Sequence, residues 1–300
     1  MIIKYTLRGK YMNKLVSLYR KYMPIGLRYN LSKIRLNKIN KNIYRRVCDG
    51  EWDDEHKLEC DYMREKKRIK SIPYKWIEEY NYNKIDVLID SDNAMPYVLV
   101  DCKRLYFPKR YPIDYIKKYF TTLLIEQDIR SPHFYFSPDD ERLKDVSFVD
   151  IGAAEGYISL KIIDNARKVI IFESDFDWIE ALNMTFKPYG DKVSIINLYA
   201  SDVSNSDSAK IDDIVSDTNV ALKIDVEGME MCVLKGAERV LTNNDTKVFL
   251  CTYHRPNDYS DLCLFLQQKE FIIETSDNFM FYGYDDIGFR KGVIRSWSKN

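Results

Sequence analysis

Short apolar runs alternate with helical stripes through the carboxyl-terminal half of this chain. Val146-Ser-Phe-Val-Asp-Ile151, Lys168-Val-Ile-Ile-Phe-Glu173 and Lys192-Val-Ser-Ile-Ile-Asn-Leu198 read as buried strands, as do Val220-Ala-Leu-Lys-Ile-Asp225 and Lys247-Val-Phe-Leu-Cys-Thr-Tyr253. Each is followed by a helical segment or a turn. The helices begin after Gly156, at Phe176 (ending near Lys187), near Met229 (ending near Leu241) and at Asp258 (ending near Gln268). Phe271-Ile-Ile-Glu274 and Phe279-Met-Phe-Tyr282 read as a closing hairpin. The pattern predicts an α/β fold with a doubly wound, Rossmann-like sheet, mostly parallel with an antiparallel edge hairpin.

Upstream the pattern changes. Ile85-Asp-Val-Leu-Ile-Asp90, Tyr97-Val-Leu-Val100 and Arg104-Leu-Tyr-Phe107 read as short antiparallel strands, with turns at Asp92-Asn93 and Asp101-Cys102. A helix from about Ile113 to Gln127 leads to the loop Ser131-Pro-His-Phe-Tyr135. Tyr11, Met12, Leu15, Val16, Leu18, Tyr19, Tyr22 and Met23 form a helical stripe that Pro24 and Gly26 end. These breaks divide the chain into a basic amphipathic amino-terminal segment (1–48), a helical and small antiparallel β accessory region (49–125) and the α/β domain (126–300).

Charge sharpens that division. The 300 residues balance 46 Lys and Arg against 46 Asp and Glu, yet residues 1–48 hold 13 of the basic residues and no acid. The remaining chain carries 33 basic and 46 acidic residues, a net charge of −13. A segment that cannot neutralise itself needs an anionic partner. Its apolar stripe suits peripheral docking on an anionic inner-leaflet surface or another polyanion, or packing on the acidic remainder of the chain. No nucleic-acid module accompanies the charge, so no nucleic-acid partner is expected. Six cysteines lack any C-x-x-C pair, and Cys232, Cys251 and Cys263 lie on apolar segments, so buried free thiols are expected. With no long apolar run and no secretory h-region, a cytoplasmic protein is expected, with peripheral contact at the inner membrane face. The oligomeric state is not readable.

The chemistry sits at the strand ends. After Val146–Ile151 comes Asp150-Ile-Gly-Ala-Ala-Glu-Gly-Tyr157, an acid followed by G-x-x-x-G before a helix. This lacks the tight pyrophosphate cradle of G-x-G-x-x-G and places a carboxylate where pyrophosphate would want a donor. It suits a zwitterionic amino-acid tail with an ammonium group, as in S-adenosylmethionine. Glu173 ends the next strand, where a carboxylate can accept both ribose hydroxyls; with Ser174-Asp175 it can equally cap the helix from Phe176. Asn197 and the Ala200-Ser-Asp202 run follow the third strand, at the adenine edge. The cofactor-binding set is therefore Asp150, Gly152, Ala153, Glu155, Gly156, Tyr157, Glu173, Ser174, Asn197, Ala200, Ser201 and Asp225. Asp225 with Glu227, and His254, end the fourth and fifth strands; a capped turn and a packed turn histidine are their plainer readings. His56 reads as a surface residue and His133 as part of a loop over the cofactor.

Three segments carry a family resemblance: Val149-Asp-Ile-Gly-Ala-Ala-Glu-Gly-Tyr-Ile-Ser-Leu160, Lys210-Ile-Asp-Asp-Ile214 and Leu222-Lys-Ile-Asp-Val-Glu-Gly-Met-Glu-Met-Cys-Val-Leu-Lys-Gly-Ala237. Over residues 126 to 290 the chain resembles the FkbM family of S-adenosylmethionine-dependent methyltransferases. Cys251-Thr-Tyr-His-Arg-Pro256 and Phe289-Arg-Lys-Gly-Val-Ile-Arg295 resemble a branch associated with bacterial surface polysaccharide. The resemblance implies a class I methyltransferase sheet and O-methylation of a sugar or glycan hydroxyl. One departure is the short excursion, Val203 to Ala209, where the family carries a longer one; substrate contacts made there do not transfer.

Methyl transfer from a sulfonium is an in-line displacement, chiefly a matter of positioning. A sugar hydroxyl needs a base, and His254 and Asp225 are the candidates, with His254 favoured because its reference pKa is nearer neutrality. Glu227 joins them in the catalytic set. No metal ligand is assigned: Asp225 and Glu227 as holders of a divalent cation is the lesser alternative. Rival readings are a non-catalytic Rossmann-like binding protein, a metal-dependent O-methyltransferase acting on a small molecule, and a nucleotide-sugar oxidoreductase, the last disfavoured by the missing G-x-G-x-x-G.

Overall fold

The computed structural model describes residues 40–243, 245–283 and 286–299. The expected stripe from Tyr11 to Met23, and residues 1–39 of the basic segment as a whole, lie outside the described residues. The described residues split into two compact units, one within 40–74 with 283 and 286–288, the other within 75–282 with 289–299. Residues 75–125, grouped from sequence with 49–74, thus fall in the unit that holds the sheet.

In the first unit, helix α1 (residues 40–48) and helix α2 (Asp53–Lys66) bury Ile43, Val47, Cys60 and Met63. Arg64 ties them by donating to the Val47 carbonyl at 2.6 and 3.0 Å and by pairing with Asp53. Lys67 takes a left-handed conformation and closes α2. His56 is buried on α2, contrary to its reading as a surface residue.

The second unit opens with a three-stranded antiparallel sheet, β1 (Leu88–Ile89), β2 (Pro96–Val100) and β3 (Lys103–Tyr106). Helix α3 (Ile113–Glu126) follows. The main elements are then β4 (Ser147–Ile151), α4 (Tyr157–Ile162), β5 (Lys168–Phe172), α5 (Phe176–Phe186), β6 (Val193–Ile196), the β7–β8 ribbon (Tyr199–Ala200 and Ser208–Ala209) and α6 (Ile211–Ile214). They continue with β9 (Asn219–Ile224), α7 (Glu230–Lys235), α8 (Glu238–Asn243), β10 (Asp245–Cys251), α9 (Asp258–Gln268), β11 (Ile272–Thr275), β12 (Met280–Tyr282), β13 (Gly288–Arg290) and β14 (Val293–Trp297).

Seven strands form the central sheet in the order β11-β14-β10-β9-β4-β5-β6. β10, β9, β4, β5 and β6 run parallel, and β14 is antiparallel to both β10 and β11. This is the expected mixed, mostly parallel α/β sheet. Its edge differs from expectation. β11 does not pair with β12; it pairs with β14, which inserts between β11 and β10, while β12 pairs with β13. The strand Val293-Ile-Arg-Ser-Trp297 hides from an apolar count because Arg295 and Ser296 interrupt it.

The strands alternate as parallel strands covered on both faces should. Val149, Ile151, Ile170, Phe172, Leu222, Ile224, Val248 and Leu250 pack under α6 to α9. Phe148, Val169, Ile171, Ala221, Phe249 and Cys251 face α3, α4 and α5. The stretch 229–241, expected as one helix, is two. Asp212 accepts from the backbone N–H of Arg239 and Val240 at 2.8 and 3.0 Å, capping a fresh start for α8. This gives the Lys210–Ile214 segment a structural task. All six cysteines are free; Cys251 is fully buried, whereas Cys232 and Cys263 are only half-buried.

Candidate active site

The chain direction across the sheet reverses at β4. From β4 the strands proceed through β5 to β6 on one side, and β9 and β10 lie on the other. Ligands of such sheets bind outside the carboxyl ends at this switch point. Here the loop after β4 meets the loop after β9. Asp225 donates its backbone N–H to the Ile151 carbonyl at 3.0 Å, and Gly152 lies directly against the Asp225 carbonyl.

Gly152 has φ +77°, and a Cβ there would strike the Asp225 carbonyl oxygen. Only glycine allows both the left-handed turn and this approach. Gly152→Ala should cost on the order of 2–4 kcal/mol, combining left-handed strain and overpacking. Urea denaturation measures it, and a variant as stable as the parent would mean that the two loops do not meet this closely. Gly156 has φ +81° and starts α4 against Leu182 and Phe186.

Glu173 bridges this loop and the next. Its Oε2 accepts from the Ala154 N–H at 2.9 Å, its Oε1 from the Asp175 N–H at 2.6 Å, and its carbonyl from the Asn197 side chain at 2.7 Å. The carboxylate thus ties the glycine turn after β4 to the helix start after β5. Ser174 is half-buried beside it. Ala153 is buried at the turn, and its carbonyl accepts the Gly156 N–H at 2.9 Å. Glu155 is buried and accepts from the Tyr119 hydroxyl at 2.6 Å; burial pushes its carboxyl up to about 7, against that hydrogen bond. Tyr157 is turned into the core, where its ring meets Phe120 edge-on. Ala200 belongs to the β7–β8 ribbon; Ser201 follows it, donating its N–H to the Ala209 carbonyl at 3.0 Å and packing its own carbonyl against Gly236.

Asp150 is not presented to a ligand. It is 1% exposed, accepts from the Ser159 hydroxyl at 2.8 Å and pairs with Lys223 Nζ at 3.1 Å. The two residues sit opposite each other in the β4–β9 register, so both side chains leave the same face of the sheet. Lys223 also donates to the Gly152 carbonyl at 2.8 Å. Burial works against its charge, but Asp150 and Asp225 outweigh that and raise its pKa. Asp150 thus shapes the glycine turn through Lys223. Sequence reading singled out neither Lys223 nor this pairing; a lysine inside an apolar strand was the available signal.

One strand over, the predicted catalytic residues converge. His254 Nε2 lies 3.5 Å from Asp225 Oδ1 and 3.8 Å from Glu227 Oε2, while its Nδ1 faces Glu230 Oε1 at 2.8 Å. Glu230 also accepts from the N–H groups of Val226 and Gly228, each at 3.1 Å, which fixes the Asp225–Gly228 turn. Burial would lower the His254 pKa, but the Glu230 hydrogen bond and the charges of Asp225, Glu230 and Glu227 carry it up to about 9. Burial likewise opposes the charge of Asp225, yet Lys223, His254 and His133 hold its pKa below the ordinary value. Both shifts favour an imidazolium beside a carboxylate.

Behind Asp225 stands a shell that the sequence showed only in part. The Tyr135 hydroxyl lies 3.0 Å from Asp225 Oδ2 and 2.9 Å from Cys251 Sγ. His133 is buried with Nε2 3.2 Å from the Tyr253 hydroxyl, and burial takes its pKa down to about 4. The 131–135 loop is strapped down by the closing strand: Arg295 donates to the carbonyls of Phe134 and Tyr135, each at 2.7 Å, and Gly292 admits the Pro132 carbonyl. Arg290 similarly holds the Tyr253 carbonyl at 2.7 Å.

Residues 151–273 match the family model described as the methyltransferase FkbM domain. A search of curated proteins found no match. Among solved structures, the chain is similar to the methyltransferase FkbM from Methylobacillus flagellatus, with 20% identity over 62% of this chain and a TM-score of 0.43. The match spans 53% of that protein, about half its length. A putative rRNA methylase from Clostridium thermocellum matches at 12% identity, covering 54% of this chain and 93% of that one, with a TM-score of 0.40. A putative methyltransferase from Streptococcus mutans, solved in complex with SAH, matches at 10% identity, covering 52% and 90%, with a TM-score of 0.38. Among the described residues no helix is long and apolar enough to cross a membrane.

Proposed function

We propose that this chain is an S-adenosylmethionine-dependent O-methyltransferase acting on a sugar hydroxyl of a bacterial surface polysaccharide or related glycan. The observation that carries the reading is the switch point itself. A glycine turn tied to the strand-end carboxylate of Glu173 abuts a second loop that presents Asp225 and Glu227, beside His254 from the loop after β10. The FkbM domain match supports the reaction class, and the sugar acceptor follows from the resemblance of Cys251–Pro256 and Phe289–Arg295 alone.

The glycine turn from Gly152 to Gly156 would hold the amino-acid tail, and the Glu173 carboxylate would accept from a ribose diol. When bound, the cofactor supplies an electrophilic methyl on a sulfonium. The chain's task is to hold the acceptor oxygen in line with it beside Asp225. His254 already carries a proton at neutral pH, which shifts proton acceptance to Asp225, the other residue named from the sequence. His254 then serves as a fixed positive neighbour.

Glu173→Ala should weaken S-adenosylmethionine binding by about 1.5–3 kcal/mol, roughly 10- to 150-fold, through loss of a hydrogen bond to a charged group. Calorimetric titration reads this, with NAD as the counter-ligand. Unchanged affinity in the variant, or NAD binding by the parent, would remove the cofactor assignment. A methyl-transfer screen over nucleotide sugars and lipid-linked glycans then identifies the acceptor.

A further inference from the structure

The cluster at the end of β9 and β10 has an arrangement that proton transfer alone does not require. His254 is nine-tenths buried, and its two ring nitrogens have different surroundings. Nδ1 is held at 2.8 Å by Glu230, a carboxylate only 1% exposed and itself anchored by two backbone N–H groups. Nε2 is directed at two further carboxylate oxygens at 3.5 and 3.8 Å, too far for good hydrogen bonds. A histidine fixed from behind by a buried carboxylate, with its other nitrogen facing oxygen donors, is the usual setting of a metal-ligating imidazole.

We propose that His254 Nε2, Asp225 Oδ1 and Glu227 Oε2 form a binding site for one divalent first-row metal ion, with Glu230 orienting the histidine. Metal–nitrogen and metal–oxygen bonds of about 2.0–2.2 Å place neighbouring ligand atoms roughly 3.0–3.5 Å apart. The two Nε2–oxygen separations need to close by only a few tenths of an ångström. Ligand atoms of Asp225, His254 and the orienting Glu230 already lie within 4.8 Å of one another, and the half-exposed Glu227 side chain swings in to complete the set.

Two independent observations support an added cation. Asp225, Glu227 and Glu230 each bring a carboxylate oxygen within 4 Å of a ring nitrogen of His254, while Lys223 is engaged by Asp150. Glu230 Oε2 is also a buried oxygen without a hydrogen-bond partner, an expensive state for a carboxylate unless nearby positive charge compensates it. One imidazole with two carboxylates matches ions such as Mn²⁺ or Zn²⁺ better than Ca²⁺, which takes oxygen donors. Asp225 and Glu227 are 22% and 49% exposed at their side chains, so the outer coordination positions face solvent. Two adjacent hydroxyls of a sugar would fit there as ligands. A metal-bound hydroxyl loses its proton to solvent more readily. Binding releases the Nε2 proton to solvent.

This inference deepens the proposed function and rests on its placing the acceptor beside Asp225, but its test needs neither cofactor nor acceptor. Full-length protein stripped with chelator is titrated with Mn²⁺ and followed by electron paramagnetic resonance. One ion should bind per chain. His254→Ala and Glu227→Ala should each abolish that binding, and Glu173→Ala should leave it intact. Glu227 is half-exposed, so its variant keeps the test valid if loss of His254 disturbs folding. Absence of Mn²⁺ and Zn²⁺ binding, or binding indifferent to Glu227→Ala, overturns the site. Calorimetry of the stripped protein with S-adenosylmethionine separates the two readings. Cofactor binding without ion binding removes the metal alone and leaves the carboxylates to balance the cofactor's positive charge. Ion binding without cofactor binding removes the transferase reading alone.

Discussion

Asp225→Asn should lower methyl transfer by about 10²–10⁴-fold at neutral pH while leaving cofactor affinity nearly intact. The side chain keeps its size and can still accept from the Tyr135 hydroxyl, so the substitution removes charge and basicity with little change in shape. Asp225 is the group on which the neighbouring polar side chains converge: Tyr135, His133 and His254 all reach its carboxylate. Lys223 and the two histidines keep it ionised. Single-turnover rates with saturating cofactor measure the chemical step, and calorimetry measures binding. A rate loss below about tenfold would place proton removal elsewhere. Equal losses of rate and affinity would make the Asp225 side chain a structural support of the site rather than the proton acceptor.

The parts of this site that the sequence showed are those built from local pattern. Asp150, Gly152, Gly156 and Glu173 stand out because an apolar run, an acid and a glycine turn are contiguous. Asp225, Glu227 and His254 stand out because they follow apolar strands. What those residues do depends on contacts between distant segments. Asp150 looked like a ligand for the cofactor, but Lys223 on the neighbouring strand takes it inward. His254 looked like a base because an isolated imidazole titrates near neutrality; Glu230, Asp225 and Glu227 change that. The closing edge was misread for the same reason. β11 has no sequence signal for choosing β14 over β12, and Arg295 marks a strap on Phe134 and Tyr135 that no local pattern contains. The split of the 229–241 stretch likewise depends on Asp212, supplied from before β9.

Lys223→Met should destabilise the fold by about 3–5 kcal/mol, because it leaves the Asp150 carboxylate buried without its counter-charge. Lys223 is 4% exposed and Asp150 1%, so water cannot take over the lost partner. The same change removes the donor to the Gly152 carbonyl at 2.8 Å, which should loosen the glycine turn proposed for the cofactor. Asp150→Asn combined with Lys223→Met removes both charges, and breaking a buried ion pair costs more than replacing it. The double variant should therefore be less destabilised than the sum of its parts, with a coupling that the mutant cycle reads directly. Urea denaturation of the parent, both single variants and the double variant supplies the four free energies. A loss below about 1 kcal/mol for Lys223→Met, a value typical of an exposed pair, would mean that the two charges are solvated. Strict additivity would mean that Lys223 and Asp150 stabilise the chain separately. A strong coupling, with cofactor affinity falling in Lys223→Met and partly returning in the double variant, would tie the buried pair to the geometry of the glycine turn.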